Sequence, residues 1–132
     1  MTSDQTRREL YEIGLAKRRK VVGDDYVNRS LRDANDFTQP MQELVTEYCW
    51  GAVWSREGLP DKTRSFLNLA MLTALNRSHE LATHVRAAVT NGATEAEIQE
   101  VLLQTAIYVG VPAALESFRV ADQVLAELRT AQ

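Results

Sequence analysis

Two histidines stand in one segment, Ser78-His79-Glu80-Leu81-Ala82-Thr83-His84-Val85-Arg86, and the chain has no others. On a helix, Glu80 and His84 are four apart and share a face. A carboxylate beside an imidazole fixes its tautomer and raises its pKa, which suits a proton donor at neutral pH. Arg77 falls one turn further back, at the helix entrance. A fixed cation beside free helix-start N–H groups can hold an anion. His79 sits in the first turn, where the dipole disfavours imidazolium, so His84 is the better acid. The bland alternative is an ordinary Glu-His pair on a solvated face.

Zinc chemistry of the HExxH type is not indicated. His79 and His84 are five apart, which puts their rings about 140° apart on a helix. With one cysteine, Cys49, and no further histidine, a metal site lacks ligands. A second constellation is Glu43, Glu47, Trp50 and Trp54, a continuous stripe at i, i+4, i+7 and i+11. Two indoles beside two carboxylates could wall a pocket, or the rings pack in a core while the acids face water. Cys49 reads as a small buried apolar group. Arg29, Arg64 and Arg86 are further candidates to hold carboxylates, Arg64 because it opens a strongly apolar helix.

These residues must be placed by helices. Of the 132 residues, 45% are hydrophobic but only 7% aromatic, a bias against sheets. The net charge of −3, with both signs interspersed, argues against nucleic acid as partner. The one basic run, Lys17-Arg18-Arg19-Lys20, reads as a solvated helix end that complements the dipole. No stretch approaches the roughly 20 apolar residues that span a bilayer. The N-terminus lacks an apolar leader core, and a single thiol suits a reducing, cytoplasmic compartment.

The periodicity predicts helix after helix and no useful strand. An N-terminal amphipathic helix covers residues 1–22, with Leu10, Ile13 and Val21 as its apolar stripe. A short second helix ends near Asp33, and core helices occupy 38–129. The third starts near Thr38 and runs through Ala52. The fourth, about Pro60 to Leu75, is apolar almost all round, as in a central or interface helix. Ser78 is expected to cap the fifth, which Asn91-Gly92 stops. Thr94-Glu95-Ala96-Glu97 reads as a capping box for the sixth. Pro112 opens the seventh. The whole chain, 1–132, reads as one all-α domain of six to seven helices joined by short turns.

Long stretches of the chain resemble the 4-carboxymuconolactone decarboxylases. They include Gly23-Asp24-Asp25-Tyr26-Val27, the run from Phe37 to Gly51, Arg64 to Leu72, Leu75 to Leu81, His84-Val85-Arg86, and Gly110-Val111-Pro112-Ala113-Ala114. The resemblance covers about Arg18 to Val124. It implies an AhpD-like fold, a homo-oligomer that is typically a hexamer, and a role in bacterial protocatechuate breakdown by the β-ketoadipate pathway. It implies conversion of 4-carboxymuconolactone to 3-oxoadipate enol-lactone and CO2 without a cofactor. Peroxidase relatives of the same fold carry CxxC followed by histidine. Arg77 and Glu80 stand where those cysteines would be, and His84 matches the histidine, so thiol redox chemistry is removed while the acid-base group stays.

The expected substrate is thus a small lactone dicarboxylate, with no nucleic acid and no membrane as partner. Catalysis is expected from His84 and Glu80. Substrate contacts are expected from Arg77, Arg64, Trp50, Trp54, Glu47 and His79. Two other readings stay open: an enzyme of the same fold acting on another lactone or oxo-acid, and a non-catalytic oligomeric helical binding module.

Overall fold

The computed structural model describes residues 2–132. Among them are seven α-helices, one π-helical segment and no strand. The chain forms two compact units, Met1–Leu59 and Pro60–Gln132.

The first unit contains α1 (Ser3–Val22), α2 (Asp24–Asp33), α3 (Gln39–Leu44) and the π-helical segment Val45–Trp54. Thr2 caps α1 in a reciprocal box with Gln5, each side chain bonding the other's backbone N–H at 2.7 and 3.1 Å. The expected single third helix is therefore split. It starts as α-helix behind Pro40 and continues with i→i+5 hydrogen bonding, which side-chain periodicity over so few turns does not distinguish from α.

α1 packs along the π-helical segment. The seam keeps Val21 of the predicted stripe but not Ile13. Ile13 is exposed, and the buried face is Gly14, Arg18 and Val21, spaced i, i+4, i+7. At the crossing, two glycines let the backbones touch. A Cβ on Gly14 would lie 1.9 Å from the Thr46 carbonyl oxygen, and one on Gly51 would lie 2.4 Å from that of Leu10. The basic run is corrected as well. Arg18 is buried, donating through Nη1 to Gln42 Oε1 (3.0 Å) and Thr46 Oγ1 (3.3 Å). Arg19 bonds Asp24 and Asn28, and Lys20 is exposed.

The second unit contains α4 (Asp61–Ala74), α5 (Ser78–Thr90), α6 (Glu95–Tyr108) and α7 (Val111–Thr130). Its core is Leu69 of α4, Leu81, Val85 and Ala88 of α5, Ile98 and Leu102 of α6, and Val120, Ala121, Val124 and Leu125 of α7. One polar bridge crosses it. Ser117 Oγ lies 2.8 Å from Thr73 Oγ1, which itself donates to the Leu69 carbonyl, so both buried hydroxyls are satisfied.

The turns that set the helix order follow local rules. After α4, Asn76 takes a left-handed φ of 58°. Arg77 N–H then donates to the Leu72 carbonyl and Asn76 N–H to that of Thr73, a Schellman closure. After α5, Gly92 does the same at φ 97°, with Ala93 N–H on Ala88 O and Gly92 N–H on Val89 O. Thr94 and Glu97 form the expected capping box of α6. One cap differs: Arg77, not Ser78, holds the N-cap of α5, and the Ser78 hydroxyl instead donates to Glu116 of α7 at 3.2 Å.

α4 is not enclosed on every side. Its buried stripe is Ser65, Leu69 and Thr73, while Leu67, Met71 and Leu75 are 46%, 52% and 64% exposed. No helix among the described residues is long and apolar enough to cross a membrane.

Candidate active site

His84 lies in the second turn of α5, between the buried positions Leu81, Val85 and Ala88 that hold this helix on the core. The ring is half-buried. From α4, Asn68 reaches it: the amide Nδ2 is 3.3 Å from His84 Nδ1. The donor and acceptor roles in this contact follow the tautomer of the ring. Glu80 stands one turn back on α5, exposed.

Two forces act on the imidazole. Burial favours the neutral ring and is the larger; Glu80 favours the cation and is the smaller. His84 is therefore held below the usual histidine range. Glu80 acts in the expected direction, but the net shift is downward, because an exposed carboxylate is screened by water while the ring itself is desolvated.

The remaining residues of the predicted site are carried by several elements. Arg77 is exposed at the start of α5, beside N–H groups that no side chain caps. His79 is exposed one residue inside that helix, and Arg64 is half-buried near the start of α4. Arg86, a further candidate for carboxylate binding, is instead paired with Glu127 of α7. Glu47, Trp50 and Trp54 belong to the first unit. Glu47 is buried and accepts from Arg7 Nε at 3.2 Å, a partner forty residues away that sequence spacing could not reveal. Trp50 and Trp54 are both buried, their ring centroids 4.9 Å apart and tilted by 37°. Glu43 stays half-buried and accepts from Gln39 Nε2.

Cys49 is exposed at the surface, contrary to its reading as a buried apolar group. Nearby protein still raises its thiol, by desolvation first and against the opposing charge of Arg18, so the thiol is protonated at neutral pH.

Asn68 is the residue that sequence reasoning missed. The signal was an amide standing alone in Phe66-Leu67-Asn68-Leu69-Ala70-Met71, where a polar group needs a reason. No group of three or more His, Cys, Asp or Glu side chains that could hold a metal occurs among the described residues.

Residues 39–123 match the model of the carboxymuconolactone decarboxylase family. A 4-carboxymuconolactone decarboxylase of Acinetobacter baylyi is 43% identical over 120 residues, 91% of this chain and 90% of its own length. A nitrosuccinic acid decarboxylase of Metarhizium robertsii is 41% identical over 127 residues, 96% of this chain and 89% of its own. Both alignments run through the His84 helix and nearly end to end, and on them the chain is a decarboxylase belonging to the carboxymuconolactone decarboxylase family.

Proposed function

We propose that the chain decarboxylates 4-carboxymuconolactone to 3-oxoadipate enol-lactone, as a step in protocatechuate breakdown, with His84 as the proton donor. The observation that carries this reading is a half-buried imidazole, held by Asn68 and with Glu80 one turn behind it, in a chain 43% identical to an enzyme named for that substrate.

The chemistry asks little of a cofactor. Loss of CO2 from the ring carbon leaves an electron pair conjugated through the ring double bond to the lactone carbonyl. The substrate is its own electron sink, and the dienolate needs a proton at carbon. The protein's tasks are to hold the surviving carboxylate, to favour charge moving onto the lactone oxygen, and to deliver that proton. Arg77, with the uncapped start of α5, is assigned to the carboxylate, with Arg64 and His79 as further contacts. His84 delivers the proton, general acid help worth roughly 10²–10⁴-fold. The free ring is neutral near pH 7. A bound dianion placed beside it raises its affinity for a proton, so substrate binding arms the acid. This reacting centre is confined to the second unit; Trp50, Trp54 and Glu47 are not called on.

The proposal extends to the whole chain as one functional module, supported by a family match that runs from 39 to 123. It extends to a homo-oligomer, a hexamer by resemblance, supported by the exposed apolar side chains of α4. The lone free thiol supports a cytoplasmic setting.

The direct test follows the absorbance of enzymatically generated 4-carboxymuconolactone. His84→Ala is expected to lose at least about 10²-fold in kcat, in line with removal of a general acid. Full turnover by a folded His84→Ala would end its assignment. A second reading is favoured by the relative named for nitrosuccinic acid. There too CO2 would leave a carbon next to an electron sink, the nitro group, and a second carboxylate would stay. Comparing kcat/KM for the two dicarboxylates decides between them, and a preference for nitrosuccinate would overturn the lactone assignment.

A further inference from the structure

His84 is oriented by an uncharged group. We infer that Asn68 is a positioning residue that keeps the transferable proton of His84 on Nε2 in both of its protonation states. The inference rests on the reading of His84 as the acid.

The geometry is a 3.3 Å approach of Asn68 Nδ2 to His84 Nδ1. A neutral imidazole must accept at one nitrogen and donate at the other. With the amide N–H on Nδ1, the proton of the neutral ring sits on Nε2. An imidazolium donates at both nitrogens, and the same amide serves it by turning over to present its carbonyl oxygen. A carboxylate in this place could only accept, which would hold the proton of the neutral ring on Nδ1 and favour the cation, and a leucine serves neither form. Asn68 therefore fixes the ring plane and the delivering nitrogen without stabilising one charge state at the expense of the other. Such a partner suits a group that is neutral when free and protonated when substrate binds.

The charges near the ring are carried by other positions. Glu80 lies one turn back on α5, and Arg64 lies one turn before Asn68 on α4. On α7, which also packs against α5, Glu116 bonds Ser78 and Arg119 while Glu127 pairs with Arg86. Substitution at Asn68 leaves all of these in place.

Two variants test it, in purified full-length protein with the fold checked by circular dichroism. In the wild type, nitrogen-15 NMR of the neutral His84 ring is expected to show Nδ1 unprotonated and Nε2 protonated. Asn68→Leu is expected to give a mixture of tautomers and a kcat lower by about 10- to 100-fold, at an unchanged KM, the cost of a misaligned group. Asn68→Asp is expected to keep the ring cationic to a pH at least about one unit higher. A wild-type ring protonated on Nδ1 overturns the inference. So does an Asn68→Leu protein with unaltered tautomer, whatever its kcat. The tautomer measurement needs no substrate, so it stands even if the lactone is not the substrate.

Discussion

The histidine proposed as proton donor is held in a place that makes protonation harder. Burial outweighs Glu80, so the free enzyme carries a neutral ring at pH 7. The sign fixes the expected pH profile. If His84 must be protonated, kcat/KM falls as pH rises through the ring's value in the free enzyme, which is below the usual range. In the complex the substrate's charge raises that value, so the limb in kcat is expected at higher pH than the limb in kcat/KM. Glu80→Gln removes the one force identified as favouring the cation and is expected to move both limbs to lower pH. Coincident limbs in the two profiles would argue against substrate-armed protonation. A second residue-scale test concerns Arg18, buried with its Nε unbonded and no carboxylate beside it. Its guanidinium is held below the usual arginine value by desolvation. Arg18→Met keeps the stem and removes the charge, and urea unfolding is expected to show a stability within about 1 kcal/mol of wild type or above it. A loss beyond about 3 kcal/mol would mean that the charge is compensated in the native protein.

At the scale of elements, what was legible was what local chemistry decides. Asn91-Gly92, Thr94-Glu97 and Gly110 each announce a helix boundary by a backbone demand that only a few residues meet, and each boundary is where it was expected. The illegible parts depend on partners far along the chain. Asn68 meets His84 only because Asn76 folds α5 back onto α4. Of Leu10, Ile13 and Val21, a seam by hydrophobicity, Val21 is buried but Ile13 is exposed, and the closest approach is at Gly14, because backbone contact with the π-helical segment excludes a side chain there. Gly51→Ala is the sharp test of that contact. Its Cβ would meet the Leu10 carbonyl oxygen at 2.4 Å, which backbone alone can relieve. A stability loss of about 1–3 kcal/mol is expected by thermal or urea unfolding, the cost typical of overpacking. A variant as stable as wild type would show that the helices part without penalty.

At the scale of the molecule, the all-α class and the family were readable because long runs of sequence carry them. The surface was not. In the second unit Met71, Leu75, Ile107, Tyr108 and Leu115 are all exposed, the last three 81%, 80% and 63%. Apolar groups of this size and number are unusual on a monomer. Self-association is expected, read as a mass several times that of one 14.8 kDa chain in light scattering. Leu115→Glu is expected to lower that mass while leaving circular dichroism unchanged. A monomeric wild type at micromolar concentration would leave these side chains in need of another explanation.

The π-helical segment carries a consequence of its own for tolerance to lost residues. Each of its hydrogen-bonded rings encloses one residue more than an α-helical ring. Excising a single amino acid from Val45–Trp54 would let the ladder rewind into ordinary α-helix with its hydrogen bonds intact. The damage would then fall on side-chain phase: Gly51 would rotate off the Leu10 carbonyl. A deletion here would spare the helix and scramble what the helix presents.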